Sequence, residues 1–178
     1  MHKDPYQAAR QVRLLILDVD GVLTDGGLYY DQEGRIAKRF NVQDGLGIKL
    51  AQFAGLKLAA ISGLNSRAVE VRLLELGITD YFAGYRHKLP LLQKLSETKN
   101  IPFVQMAYLG DDWVDAQAMS SVGLPMAVAN AQPEIKKLAL WTTAAPGGHG
   151  AARQAIHFIL QAQGRLEELW TKWTREYE

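Results

Sequence analysis

The chain has 178 residues, 48% hydrophobic and 22% charged, with 20 lysines and arginines against 19 aspartates and glutamates and a net charge of +1. That composition excludes disordered and fibrous classes, offers no global field for nucleic acid or an anionic membrane, and suits one globular domain able to bury a full core. Cysteine is absent, which removes disulfides, thiolate metal sites and cysteine nucleophiles. The apolar run Leu14–Leu17 stops at Asp18, far short of the ~20 residues of a membrane span or the roughly 7–15 of a secretory leader. A cytoplasmic protein without nucleic-acid or membrane partners is the expectation.

In chain order, residues 1–13 read as a polar lead-in and residues 14–17 as a buried strand ending in acid. Residues 28–30 and 35–40 flank Asp31-Gln-Glu-Gly34 and predict a hairpin. Residues 44–54 space Leu46, Leu50, Phe53 and Ala54 along a helical face that Gly55 ends. A strand over 57–61 closes on Ser62-Gly63, and Asn65 is a candidate cap for a helix running to Leu76. A short strand at 81–82, a helix over 89–95 and a strand over 104–109 follow, the last running into Gly110-Asp111-Asp112. Then come a helix over 114–122, a strand over 125–129, a short helix over 133–138, a strand over 140–143, and helix from Ala151 almost to the end. Strands alternating with helices predict an α/β fold with a doubly wound parallel sheet.

Six of the ten aspartates fall in two short segments, Asp18, Asp20 and Asp25, then Asp111, Asp112 and Asp115, each starting where a strand ends. Ligands of open parallel sheets bind beyond the carboxyl ends of the strands, so neighbouring strands would bring the two clusters together. Crowded carboxylates repel and raise one another's pKa, and a hard divalent cation with oxygen ligands such as Mg²⁺ relieves the conflict. The plainer reading, acids capping the helices that follow, accounts for Asp112 or Asp115 and for Asp25, but poorly for Asp18 and Asp20 on a strand exit beside Gly21. That pair reads as a nucleophile with an acid/base partner. Ser62 and Lys88 are each weak signals alone, but together they can hold the oxygens of a transferring phosphoryl group.

Asp18-Val-Asp20-Gly-Val-Leu-Thr-Asp25, Ser62, Lys88 and Gly110-Asp-Asp112-Trp-Val-Asp115 resemble the four ordered motifs of the haloacid dehalogenase-like hydrolases, and Asp20 resembles their phosphatase branch. Phe40-Asn-Val-Gln-Asp-Gly-Leu-Gly-Ile48 and Gly147-Gly-His-Gly-Ala-Ala-Arg153 are similar to segments of the KDO 8-phosphate phosphatases, which serve lipopolysaccharide synthesis. The resemblance covers residues 13–165 and leaves 166–178 as a helical extension of a single domain, residues 1–178. It implies a capless Rossmann-like domain with a β-hairpin flap, Mg²⁺ dependence, a phosphorylated sugar as substrate and a homotetramer. Carried over by position, it implies Asp18 as nucleophile and Asp20 as general acid/base, with Asp18, the Asp20 carbonyl and Asp111 on the metal. It implies Ser62 and Lys88 on phosphate, and Asn41, Val42, Gln43, Asp44, Gly45, Lys49 and Arg72 along the sugar.

The sequence departs from the family where Leu64, Gln43, Lys49 and His149 replace its usual arginines, and arginine is a rigid bidentate partner for carboxylate or phosphate. Two rival readings stand beside this one: a phosphatase for another sugar or nonulosonate phosphate, and a non-enzymatic oligomerisation module of the same fold. The intervals from Asp20 to Ser62 and from Ser62 to Lys88 are filled by predicted elements and leave little room for a lid. The site is therefore expected to be completed by a neighbouring subunit, with the hairpin and the 147–150 loop reaching across. His87 and His157 show no metal-ligand spacing. Leu166, Leu169, Trp170, Trp173 and Tyr177 form an apolar stripe on the last helix.

Overall fold

The computed structural model describes residues 4–175. The polar lead-in contains a helix, α1 (Pro5–Arg10), started by Asp4, whose side chain accepts from the Tyr6 amide at 3.0 Å. Six parallel strands then form one sheet: β1 (Leu14–Asp18), β4 (Lys57–Ser62), β5 (Tyr81–Ala83), β6 (Met106–Gly110), β7 (Leu124–Ala127) and β8 (Trp141–Thr142). Their order is β5-β4-β1-β6-β7-β8. Strands β1 and β6 are buried along their whole length, as expected of central parallel strands covered on both faces.

The helices α2 (Val42–Phe53), α3 (Arg67–Glu75), α4 (Leu89–Lys99), α5 (Ala116–Ser121), α6 (Pro133–Leu138), α7 (Ala151–Ala162) and α8 (Leu166–Arg175) complete the architecture. Helix α7 packs on α1 and α2, and α5 packs on α4 and α6. The order reverses at β1: the chain runs outward through β4 and β5, returns to β6 on the other side and continues to β8. A crevice opens at such a reversal, and it lies where Asp18 and Gly110 leave the sheet.

The short ribbon β2 (Tyr29–Tyr30) with β3 (Ile36–Ala37) is the predicted hairpin, closed at its base by a bridge between Thr24 and Phe40. Several boundaries differ from expectation. Ser66, not Asn65, precedes α3; the Asn65 side chain lies instead beside Gly84. The segment 114–122 begins as a 3₁₀ turn (Trp113–Asp115) because Asp112 and Asp115 form a reciprocal capping box there. The C-terminal helix breaks at Gly164, which takes a φ of 68°. Beyond that break Leu169 is buried, Trp173 stacks edge-on against Phe53 and Trp170 is exposed, while Tyr177 lies outside the described residues.

Candidate active site

Asp18 is the last residue of β1 and is 4% exposed, so the strand itself delivers a carboxylate into the crevice. Residues 18–25 then turn sharply. Gly21 takes a φ of 90°, and a β-carbon there would lie 2.1 Å from Asp111 Oδ2, so only glycine lets the two acidic segments meet. One carboxylate oxygen from each of Asp18, Asp111 and Asp115 falls within 4.8 Å of the others. The two aspartate clusters therefore converge as the sequence predicts.

The three acids are not equivalent. Asp115 is fully buried and saturated: Lys88 Nζ (2.6 Å) and the Tyr108 hydroxyl (2.7 Å) donate to Oδ1, and the amides of Asp111 (2.9 Å) and Asp112 (3.3 Å) donate to Oδ2. It is built to position its neighbours. Asp18 accepts from Lys88 at Oδ1, 2.5 Å away, and its side chain also bonds to that of Asp111. With Asp111 it offers the oxygen donors that a hard divalent cation prefers, and Mg²⁺ fits this set. Asp112 accepts from the Trp113 amide at 2.7 Å and serves as a cap, the plainer of its two readings.

Electrostatics follow from the crowding. Burial, then the Asp115 charge, pushes Asp18 well above the usual carboxylate range, against the opposing pull of Lys88. The same two causes, in the same order, raise Asp111 to about 7. Burial alone would lower Lys88, yet Asp18 and Asp115 together raise it, so the ammonium keeps its proton. Burial and the Asp115 charge hold the Tyr108 phenol well above its ordinary value, making it a proton donor to that carboxylate.

Asp20 stands across from this group. Ser62, at the end of β4, donates from Oγ to Asp20 Oδ2 at 3.3 Å and to the Leu64 carbonyl at 3.0 Å, and accepts from the Leu64 amide at 3.1 Å. The other Asp20 oxygen is ion-paired with Lys38, whose side chain is 2% exposed. Lys38 and Tyr108 are site residues that sequence reasoning missed. Tyr108 looks like any apolar strand residue, and Lys38 looks like a solvated hairpin charge. The available signal for Lys38 was its place two residues before Phe40, whose bridge to Thr24 folds the flap back over the nucleophile loop.

The expected sugar-site residues divide. Asn41 is the N-cap of α2, its side chain accepting from the Gln43 amide at 2.7 Å. Asp44 is buried and accepts from the amides of Gly150 (3.2 Å) and Arg153 (2.8 Å); burial raises its pKa and those amides oppose the shift. Val42 is 80% exposed and Gln43 is exposed near Gly150. A β-carbon on Gly45 would meet Arg72 Nη2 at 2.4 Å, so Arg72 lies directly over that glycine and pairs with Glu75 at 3.3 Å. Lys49 Nζ donates to the Glu75 carbonyl at 3.0 Å. Among the described residues, neither Lys49 nor Arg72 bonds to Asp18, Asp20, Ser62 or Lys88.

The 147–150 loop is fastened to the 18–25 turn and to Asn130 of its own chain. Gly147 donates to Asn130 Oδ1 (2.9 Å), Gly148 donates to the Val22 carbonyl (2.9 Å), and a β-carbon on Gly147 would lie 1.7 Å from the Gly21 oxygen. His149 Nδ1 lies 2.8 Å from the Gly147 carbonyl, and Arg39 of the hairpin approaches its Nε2 at 3.3 Å. At the hairpin base, Asp25 accepts from the Gly27 amide (2.9 Å) and the Tyr29 hydroxyl (2.8 Å), which lower its pKa in that order. His87 and His157 are exposed and contribute nothing to the site.

A buried aspartate at a strand exit, a second acid two residues on, a serine and a lysine from the next crossovers and an acidic cluster able to hold a metal together define a phosphatase of the haloacid dehalogenase type. The family described as haloacid dehalogenase-like hydrolase matches residues 77–154. The 3-deoxy-D-manno-octulosonate 8-phosphate phosphatase KdsC of Escherichia coli K12 is 42% identical over 165 residues, 93% of this chain and 88% of that protein. The crystal structure of the Yersinia pestis phosphatase of the same name superposes with a TM-score of 0.90 at 41% identity, covering 93% of this chain and 89% of that one. The Moraxella catarrhalis phosphatase, crystallised with magnesium ion, phosphate ion and KDO, gives 0.92 at 36% identity, covering 95% and 97%. The chain belongs to the 3-deoxy-D-manno-octulosonate 8-phosphate phosphatase family.

Two predictions follow from this geometry. Lys38→Met removes the ammonium that holds Asp20, so catalytic efficiency should fall by roughly 10²-fold on both an aryl phosphate and a sugar phosphate. A change within twofold on both substrates would show that Lys38 serves only the hairpin. The second concerns pH. Because folding raises the Asp111 pKa from 3.8 to about 7, the unfolded chain binds fewer protons across that interval. Stability of the metal-free protein should therefore fall as pH rises through it. Melting in chelator should show a lower Tm at pH 8 than at pH 5, with added Mg²⁺ raising Tm most at pH 8. A metal-free Tm that climbs over the same range would mean that Asp111 is already ionised.

Proposed function

We propose that this protein hydrolyses 3-deoxy-D-manno-octulosonate 8-phosphate to KDO and phosphate through an aspartyl-phosphate intermediate. Identity of 42% to KdsC over nearly the whole chain, with each expected catalytic side chain present in the crevice, is the observation that carries this reading. Asp18 attacks phosphorus in line as the ester P–O bond breaks, and Asp20, which enters this step in its acid form, gives its proton to the departing alkoxide. Water then attacks the aspartyl-phosphate, Asp20 takes its proton, and phosphate leaves as Asp18 is regenerated. Lys88 and Ser62 supply fixed donors to the phosphoryl oxygens, while Lys38 and Ser62 hold the Asp20 carboxylate from opposite sides. Asp18, Asp111 and the Asp20 carbonyl would hold Mg²⁺, which when bound would supply positive charge against the transferring phosphoryl group.

Phosphate release should be measured across phosphorylated sugars in the presence of Mg²⁺. KDO 8-phosphate should give the highest catalytic efficiency, and Asp18→Asn should abolish turnover because an amide cannot form the acyl-phosphate. A higher efficiency on a nonulosonate phosphate would move the substrate assignment, and turnover by Asp18→Asn would remove the nucleophile.

The assembly is proposed on separate grounds. Leu28, Tyr29, Tyr30 and Ile36 are all 40% or more exposed on a ribbon of two short strands, and an isolated ribbon of that kind is marginal in water. Packing these ribbons between subunits would cover the apolar faces and complete each site from a neighbour, as a homotetramer in the cytoplasm. No helix among the described residues is long and apolar enough to cross a membrane. Light scattering should give a tetramer mass, and Tyr30→Lys should shift it downward and reduce activity on the sugar phosphate more than on an aryl phosphate. A fully active monomer at assay concentration would reject the arrangement.

A further inference from the structure

At the opposite end of the sheet from the acids, the amino ends of β1, β4 and β6 face a cavity of about 810 Å³. The five residues of β1 alone place it about 16 Å from the crevice. Its volume is in the range of small-molecule sites, roughly 300–1,000 Å³. The lining holds Arg10, Arg13, Lys57 and Arg165, with no acidic and no aromatic residue. Among the described residues, the side chains of Arg10 and Lys57 have no hydrogen-bond or ion-pair partner. Glu168, one turn from Arg165, is already paired with Lys172 at 2.5 Å.

Charge arithmetic separates a ligand site from simple helix capping. The carboxyl ends of α1, α2 and α7 all border this cavity, and each carries up to about half a negative charge. Arg165 Nη1 does cap α2, donating to the Ala54 carbonyl at 2.8 Å. Three helix ends offset at most about one and a half of the four cations and Glu168 offsets part of Arg165, leaving about two positive charges on exposed side chains around an open space. The wall is also pre-built. Gln163 Nε2 ties α7 to the end of α1 through the carbonyls of Ala9 (3.2 Å) and Val12 (2.8 Å), and Arg13 Nη1 donates to Gln105 Oε1 at 3.2 Å. A rigid wall lowers the ordering cost of binding.

We propose that this cavity is a second, non-catalytic binding site for a small molecule carrying a diphosphate group. About two negative charges match the surplus, arginine forks suit phosphate oxygens, and the lack of an aromatic wall makes recognition rest on the anion rather than on a base.

Calorimetry of the full chain with inorganic pyrophosphate, at low salt and with chelator present, tests this directly. Unaltered protein should bind, and Arg10→Gln with Lys57→Gln should weaken binding by at least about tenfold, since each lost charged contact removes about a factor of ten or more. Aryl phosphatase activity of that double variant, assayed with Mg²⁺ and without pyrophosphate, should stay unchanged, which also reports that it folds. Ser62→Ala should leave pyrophosphate binding intact. Absence of binding, retention in the double variant, or loss in Ser62→Ala instead would each overturn the proposal. Tighter binding of a short RNA or of phosphatidylserine vesicles than of pyrophosphate, lost in the same double variant, would replace the small molecule with a macromolecular partner.

Discussion

The buried ammonium of Lys88 is the contact on which the crevice depends. It lies 2.5 Å from Asp18 and 2.6 Å from Asp115, with 1% of its side chain exposed. Three carboxylates meet within 4.8 Å, and this buried cation bonds to two of them, Asp18 and Asp115. Removing it would leave Asp18 and Asp115 without their cation, a loss of about 3–5 kcal/mol in comparable settings. One cation against three acids leaves two formal negative charges, the charge that a divalent ion neutralises. Without such an ion the chain has a proton to use instead, which is why Asp111 is raised to about 7. Metal and proton are thus alternative solutions to the same crowding.

Asp115 makes that arrangement possible by not competing for the ion. Four donors saturate its two oxygens, and two of them are amides of the very segment that carries Asp111. The acid therefore shapes its own loop, fixes Lys88 and takes a proton donor from Tyr108, all below the surface. A carboxylate that looks equivalent to its neighbours in sequence becomes part of the frame. Asp111, partly open to the crevice, keeps its carboxylate available to a cation.

The strands and acids were legible because β1 and β6 are continuous apolar runs that stop at aspartate, and burial on both faces of a parallel sheet demands that pattern. What was not legible depends on pairings across distant segments. Asn41 and Asp44 match family positions for the sugar site, yet one caps α2 and the other binds the amides of Gly150 and Arg153, more than a hundred residues away. Lys38 meets Asp20 because the hairpin folds back, which no local pattern encodes. Helix α1 escaped notice because only Ala9 of its six residues is buried, so it has almost no apolar period.

The hairpin brings a guanidinium to the loop that carries His149. His149 cannot offer a guanidinium, but Arg39 sends one to the same loop, donating to the Gly148 carbonyl at 2.9 Å and standing 3.3 Å from His149 Nε2. That guanidinium also approaches Asp25 at 3.9 Å, so one residue spans the nucleophile turn, the flap and the glycine loop. The loop in turn is pressed against Gly21, where a β-carbon on Gly147 would overlap the carbonyl. Flap, loop and nucleophile turn are consequently one mechanical unit. A positive charge stays beside the glycine loop, on an element whose apolar side chains Leu28, Tyr29, Tyr30 and Ile36 are exposed.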